Sequence, residues 1–180
     1  MKIYIALFRG INVGGKNVLP MKELIAALDA LGAQNVRTYI QSGNAVFGSN
    51  GNNASRLANK IRIEIKKRRR FEPYVQLLEL EDIARVIAVN PFPEAEAKPQ
   101  VLHVGFLASA PENPNLQALD NLKRNGERFQ LIGNVFYLHA PAGVGKSKLA
   151  ANAEKLLGVP MTDRNWRTVC KIWEMAKELK

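Results

Sequence analysis

Residues 8–17, Phe-Arg-Gly-Ile-Asn-Val-Gly-Gly-Lys-Asn, combine three glycines with two cations and two asparagines. The stretch follows an apolar run with the alternation of a strand, and it precedes a helical pattern that begins near Pro20. Glycines let backbone N–H groups approach an anion closely, and loops on a rigid scaffold often carry binding residues. We therefore predict that this stretch is an anion-binding loop.

Two further polar stretches have the same character. Residues 41–44 lie at a predicted hairpin turn, and residues 164–166 are predicted to open the last helix. We expect the fold to bring the three stretches together as a polar, electropositive pocket for an anionic, phosphorylated or nucleotide-like ligand. The candidate ligand-binding residues are Arg9, Asn12, Lys16, Asn17, Gln41, Ser42, Asn44, Arg164, Asn165 and Trp166.

Residues 143–147, Gly-Val-Gly-Lys-Ser, imitate the phosphate-binding loop of an ATPase. The ATPase pattern requires a glycine where this chain has Ala140, and Pro141 removes one of the N–H donors of such a loop. Only six residues (158–163) separate the predicted end of the helix that follows from the last helix, so we expect no magnesium-binding strand and Asp between them. We predict instead a secondary anion site at a helix N-terminus, with Lys146, Ser147 and Lys148 as candidates.

The densest positive run in the chain comprises Lys66, Lys67, Arg68, Arg69 and Arg70. Cations at the C-terminus of a helix complement its dipole, which accounts for two or three of the five. The others are candidates for a patch that binds the phosphate backbone of nucleic acid.

Residues suited to catalysis are few. His103 falls in the middle of a predicted strand, which favours a structural role, whereas His139 ends a strand and is placed to face a cleft. Neither belongs to a recognisable nucleophile motif, so no catalytic residue is assigned. The spacing of His, Cys, Asp and Glu predicts no metal site, and no cofactor is expected.

The composition restricts the class of protein. A charge of +10, from 26 Lys and Arg against 16 Asp and Glu, favours anionic partners such as phosphorylated small molecules or nucleic acid. The single cysteine, Cys170, excludes an internal disulfide. No apolar run approaches the ~18 residues needed to span a membrane, so we expect a cytoplasmic protein without a membrane partner. The sequence does not indicate the oligomeric state.

The order of predicted elements indicates an α+β fold of two ferredoxin-like (βαββαβ) halves, an internal duplication, plus a C-terminal helix. We place the first half at residues 1–80, a helix and linker at 81–99, the second half at 100–163 and the last helix at 164–180, in one compact unit. The predicted hairpins support the duplication, since residues 41–47 (Gln-Ser-Gly-Asn-Ala-Val-Phe) resemble residues 131–137 (Leu-Ile-Gly-Asn-Val-Phe-Tyr). Ser55 is the expected cap of the second helix, and a short strand is expected near residues 159–161.

The ferredoxin-like order invites comparison with RNA-recognition modules, which stack bases on aromatic side chains of the sheet. The candidates here are Tyr4 and Phe47, but the third strand lacks the additional aromatics and the basic residue of the RNA-binding pattern. We therefore expect both aromatics to lie in a core covered by helices.

Three stretches together resemble a family of bacterial proteins catalogued as domain of unknown function 1697. They are residues 9–17 (Arg-Gly-Ile-Asn-Val-Gly-Gly-Lys-Asn), 39–44 (Tyr-Ile-Gln-Ser-Gly-Asn) and 164–169 (Arg-Asn-Trp-Arg-Thr-Val). The resemblance also extends to residues 143–149, where the family has a Gly-x-Gly-basic-Ser/Thr-Lys-Leu run. It implies an α+β fold of two ferredoxin-like halves, and it implies no reaction, substrate or catalytic residue.

Three functions remain open from the sequence, beside a purely structural or interaction role. The first is binding of a phosphorylated small molecule or nucleotide at the predicted pocket. The second is binding of nucleic acid through residues 66–70 and the basic first half. The third is an enzyme of unidentified class, for which His139 is the most plausible titratable residue.

Overall fold

The computed structural model describes residues 1–51, 53–124 and 126–179. It contains two four-stranded antiparallel sheets and six α-helices within those residues, so the fold is mixed α+β. The strands are β1 (Lys2–Arg9), β2 (Gln34–Tyr39), β3 (Asn44–Ser49), β4 (Tyr74–Glu79), β5 (Leu102–Leu107), β6 (Arg128–Ile132), β7 (Val135–His139) and β8 (Met161–Asn165). The helices are α1 (Met21–Asp29), α2 (Ala54–Arg69), α3 (Leu80–Ala88), α4 (Leu116–Leu122), α5 (Lys148–Leu157) and α6 (Trp166–Lys177).

The first sheet has the strand order β2-β3-β1-β4. Alternate side chains of β1, including Tyr4 and Phe8, share one core with α1 and α2, because the apolar positions of those helices recur on one face. Tyr4 lies opposite Phe47 on β3, and both side chains are fully buried in this core. The prediction that these two aromatics are covered by helices is confirmed, so neither ring is available to stack on an RNA base.

The second sheet has the order β6-β7-β5-β8, which is the same order relative to the chain as in the first sheet. Its core contains Phe136 and Leu138 of β7 and Leu107 of β5, packed with apolar residues of α4 and α5. The central strands β5 and β7 are almost wholly buried, whereas β6 and β8 lie at the two edges.

The chain forms two compact units. The first comprises Met1–Arg85 with Lys171–Lys180, and the second comprises Val86–Cys170. The four-part division expected from the sequence stays a prediction. No helix within the described ranges is both long and apolar enough to cross a membrane.

Several predicted boundaries were wrong, and one matters for the site. The short strand expected near residues 159–161 is β8, Met161–Asn165, so Arg164 and Asn165 end a strand and the last helix begins at Trp166. The expectation that no strand with an Asp fits between α5 and the last helix was wrong, because β8 lies there and contains Asp163. The sequence Met-Thr-Asp-Arg-Asn has no apolar alternation because β8 is an edge strand paired only with β5. Helix α2 is capped by Asn53, which accepts from the N–H of Arg56, and not by Ser55.

Candidate functional site

The first loop of the protein, residues 10–20, is folded by one asparagine. Asn12 adopts a left-handed backbone conformation at φ 55°, which Asn tolerates better than most residues. Its Nδ2 donates to the carbonyls of Leu19 at 2.9 Å and Gln41 at 2.8 Å, and its Oδ1 accepts from the Leu19 N–H at 2.8 Å. Asn12 therefore closes the loop and ties it to the hairpin between β2 and β3.

The middle of the loop is a small hairpin of its own. Val13 and Lys16 form an isolated bridge, with Gly14 and Gly15 as the turn at φ 57° and 73°. Two consecutive residues at positive φ define the tight turn for which glycine is favoured. The N–H groups of Gly14 and Gly15 donate to no acceptor in the described part of the chain, and the exposed side chain of Lys16 adjoins them. This hairpin tip is an arrangement of donors and positive charge that suits an anion.

Asn17 fixes the base of the small hairpin. Its Nδ2 donates to the Gly10 carbonyl at 2.8 Å, and its own carbonyl accepts from the Asn12 N–H at 3.2 Å. Arg9, immediately before Gly10, ends β1 with an exposed side chain. Two of the four candidates in this loop are thus scaffolding, while Arg9 and Lys16 supply the charge.

The predicted hairpin stretch lies against the same loop. The Phe8 N–H donates to the Gly43 carbonyl at 2.8 Å, and a Cβ on Gly43 would lie 2.6 Å from Cδ1 of Ile11. Asn44 is fully buried and donates from Nδ2 to the Tyr39 carbonyl and to Oγ of Ser42, both at 3.1 Å. Gln41 and Ser42 are exposed. The first two predicted stretches therefore come together, and Asn44 serves the turn.

The third predicted stretch belongs to the second unit. Asn165 accepts from the Thr168 N–H at 2.9 Å and so caps α6, which begins with the buried Trp166. Burial lowers the pKa of Arg164 to about 10, against the opposing effect of Asp163. That residues 164–166 lie together with the other two polar stretches stays a prediction.

The Walker-like residues form a short 3-10 turn, Val144–Lys146, and then the start of α5. Ser147 is the N-cap of α5, since its Oγ accepts from the Ala150 N–H at 3.0 Å. Lys146 and Lys148 are exposed on either side of it. A pocket of about 270 Å³ adjoins this turn, between the sheet and α5, and is lined by Phe136, Leu138, Val144, Gly145, Ser147, Ala150, Ala151, Ala153, Met161 and Asp163.

The only ionisable residue among those lining the pocket is Asp163, and it is paired with a histidine. Nδ1 of His103 lies 2.8 Å from Oδ2 of Asp163. Burial lowers the pKa of His103, but the hydrogen bond and the charge of Asp163, with a hydrogen bond to the Gln100 backbone, outweigh it, so the net pKa is raised. The structural role expected for His103 is therefore that of a hydrogen-bonding partner for Asp163.

The other histidine, His139, is partly buried and contacts one cationic and one aromatic side chain. Its Nδ1 lies 3.1 Å from Nη2 of Arg128, and its ring packs near Phe92. Burial and the charge of Arg128 lower its pKa. No described group of three or more His, Cys, Asp or Glu residues has metal-binding geometry.

The basic run at the end of α2 is largely paired with acids. Lys66 lies 3.1 Å from Glu72, and Arg68 lies 2.8 Å from Glu64. Lys67 and Arg70 have no acidic partner within the described residues. The run is therefore less electropositive than its sequence indicates.

Arg69 has a role that sequence reasoning missed. Its Nε and Nη2 both donate to the Val18 carbonyl, at 3.0 and 2.7 Å, and its Nη1 lies 3.3 Å from Glu23. It therefore braces the end of the glycine-rich loop from α2, 51 residues away. No local pattern signals such a contact. Sequence reasoning also missed Asp163, because it lies in a strand whose residues do not alternate between apolar and polar.

The chain is similar to a protein family and to a protein of known structure. The family described as "Protein of unknown function (DUF1697)" matches residues 1–137, which contain the first two motifs and end before residues 143–149 and 164–169. A conserved bacterial protein from Streptococcus pneumoniae is similar in structure, with 28% identity, a TM-score of 0.71, and coverage of 97% of this chain and 98% of that one. Comparison with curated proteins gives no significant match.

Proposed function

The chain belongs to the DUF1697 family of unknown function, and we propose that it binds a small anionic ligand, phosphorylated or nucleotide-like, at the tip of its first loop. Lys16 supplies the positive charge, and the N–H groups of Gly14 and Gly15 supply the hydrogen bonds. Arg9 precedes the loop, and Gln41 and Ser42 belong to the hairpin to which Asn12 ties it, so we include all three as candidates for further contacts with the ligand.

The observation that carries the proposal is that some residues hold the fold of the loop while others leave donors and charge exposed at its tip. Asn12 and Asn17 hold the loop through side-chain bonds to backbone groups, while two glycine N–H groups and one lysine at its tip stay open to solvent. Glycine has no side chain to obstruct an anion that accepts from both N–H groups. A preformed donor set costs little entropy to organise when the anion binds.

A thermal-shift screen with nucleotides, sugar phosphates and short RNA and DNA tests the proposal. A ligand present at about 100 times its Kd adds ~2.7 kcal/mol to the free energy of unfolding. We expect a phosphorylated small molecule to raise the Tm of the wild type and to have little effect on the Lys16→Ala variant. Lys22→Ala is the matched control, because Lys22 is exposed on α1 in the same unit.

Nucleic acid is the alternative occupant, and salt distinguishes it from a small ligand. Contacts to several phosphates make binding fall steeply with salt concentration. Stabilisation by RNA or DNA alone, with a steep salt dependence and without an effect of Lys16→Ala, would replace the proposal with nucleic-acid binding. The pairing of Lys66, Arg68 and Arg69 with acids favours the small ligand. No reaction is assigned.

We also propose that the two halves are copies of the ferredoxin-like unit and that the protein is cytoplasmic. The duplication is supported by the order βαββαβ in each half and by the equal relative strand orders of the two sheets. The cytoplasmic location is supported by the sequence, which has a single cysteine and no long apolar run.

A further inference from the structure

We propose that the pocket between the second sheet and α5 binds a compact, uncharged nitrogen heterocycle whose ring N–H donates to Asp163. This site lies in the second unit and is independent of the loop site in the first. Its ligand has an apolar ring body and at least one N–H group. The walls, the single carboxylate and the size of the pocket lead to this class.

Most residues that line the pocket are apolar, and Ser147 and Asp163 are the ones with polar side chains. Phe136 and Leu138 project from β7 and Met161 from β8, and the facing helix presents three alanines, Ala150, Ala151 and Ala153. Small side chains on α5 opposite large ones on the sheet leave the space open. The volume of about 270 Å³ exceeds the ~150 Å³ of an engineered apolar cavity that binds benzene. The pocket therefore has room for a fused two-ring system.

The polar group is a carboxylate with one oxygen in use. His103 occupies Oδ2 of Asp163, whereas Oδ1 accepts no hydrogen bond from the described residues. His103 is almost buried and belongs to β5, so it fixes the position of the carboxylate. The remaining oxygen is a fixed acceptor at the edge of an apolar space, and a ligand group that donates to it gains a charge-assisted hydrogen bond.

The charge around the carboxylate selects against charged ligands. Nδ1 of His103 already contacts Oδ2 of Asp163 at 2.8 Å, so an ammonium group would compete with His103 for this carboxylate. Asp163 itself repels a carboxylate or phosphate that enters the pocket. An uncharged ring with an N–H donor satisfies the acceptor and leaves no unpaired charge in the apolar space.

Indole and 1-methylindole form a matched pair of probes, since they differ in the N–H group. Titration of the full-length protein, followed by amide chemical shifts of the lining residues, gives the Kd of each probe. We expect indole to bind saturably and 1-methylindole to bind about tenfold more weakly, as expected for loss of a hydrogen bond to a charged group. In Asp163→Ala the two probes should bind equally, because the acceptor is absent.

A second variant tests the place of binding without disturbing the core. Ala151 is exposed, so Ala151→Leu narrows the pocket opening, and we expect it to weaken indole binding at least about tenfold. Ala88→Leu, at an exposed helical alanine outside the pocket, is the control and should bind as the wild type does. Equal affinities of the two probes for the wild type, unchanged binding by Ala151→Leu, or absence of saturable indole binding would overturn the proposal. The comparison of probes in the wild type requires no variant to fold.

Discussion

Asn12, predicted from the sequence as a ligand-binding residue, instead holds the glycine-rich loop in its fold. Of its three hydrogen bonds, one donated by Nδ2 and one accepted by Oδ1 close the loop onto Leu19, and the other donated by Nδ2 joins the loop to the neighbouring hairpin at Gln41. The position also requires positive φ, which a residue with an ordinary Cβ adopts at a cost of about 1–2 kcal/mol. Some of the polar residues that indicated a ligand site in the sequence therefore stabilise the loop and are not themselves free to contact a ligand.

Replacement of Asn12 should therefore destabilise the protein. We expect Asn12→Ala to lower the free energy of unfolding by about 2–4 kcal/mol, since partly buried backbone groups lose their partners and alanine is strained at positive φ. Asn12→Gly removes the hydrogen bonds without the strain and should cost about 1 kcal/mol less. Denaturant unfolding of both variants measures the difference. A loss below about 0.5 kcal/mol for Asn12→Ala would contradict this role.

The pKa values of the two histidines should be shifted in opposite directions from the ordinary value of about 6.5. The pKa of His103 is raised: burial opposes this, but the hydrogen bond and charge of Asp163 outweigh it. The pKa of His139 is lowered by burial and by Arg128. Side-chain NMR titration should give one value above and one below 6.5, and Asp163→Asn should lower only the higher one. Two unshifted values would contradict both environments.

These shifts have opposite consequences for stability. The unfolded state binds its proton to His103 more weakly than the folded state does, so the contribution of His103 is fully present below about pH 6.5 and declines as the pH rises through its folded pKa. His139 contributes above about pH 6.5 and loses that contribution as the pH falls through its folded pKa.

At the scale of elements, the two hairpin turns show what sequence could predict and what it could not. The Gly-Asn pairs at residues 43–44 and 133–134 identify both turns, and both glycines have positive φ. The surroundings differ: a Cβ at Gly43 would lie 2.7 Å from Cβ of Phe8, whereas Gly133 has no atom within 4 Å of such a Cβ. The residues that favour a turn can be recognised in the local sequence. The close approach of Phe8 and Ile11 to Gly43 depends on the tertiary fold and cannot.

The matched substitutions separate strain from crowding. Gly133→Ala should cost only the strain of positive φ, about 1–2 kcal/mol. Gly43→Ala adds overpacking against Phe8 and Ile11 and should cost about 1–3 kcal/mol more. Denaturant unfolding measures both. Equal losses would show that the loop and the turn are not in close contact.

The elements also explain which site residues sequence reasoning placed wrongly. Strong periodicity located β1, α1 and α2, which carry or support the first loop. It failed at β8, an edge strand of mostly polar residues, and so missed Asp163 and misassigned Arg164 and Asn165. The brace from Arg69 to the Val18 carbonyl joins residues 51 positions apart, and no local pattern contains that information.

At the scale of the whole molecule, some of the positively charged side chains form ion pairs with acidic residues and others do not. The net charge of +10 predicts attraction to polyanions at low salt. Yet three of the five cations at residues 66–70 contact acids, whereas Lys67 and Arg70 pair with no acid in the part of the chain that the structure describes. Net charge is readable from composition, whereas its pairing depends on the fold.

Retention on a polyanion column should reflect that pairing. We expect Lys67→Ala with Arg70→Ala to lower the eluting salt concentration more than Lys66→Ala with Arg68→Ala does. The two double variants have the same net charge. Removal of Lys66 and Arg68 also leaves Glu72 and Glu64 without these partners, which changes the local distribution of charge. Equal reductions would mean that total charge alone controls retention.

The central claim is that the tip of the first loop binds an anion, and amide NMR of the full-length protein tests it most directly. A phosphorylated ligand identified by thermal shift is titrated into the wild type and into Lys16→Ala. We predict saturable shifts of the Gly14 and Gly15 amides in the wild type and their loss in the variant. Saturable binding that leaves both glycine amides unmoved would contradict the claim.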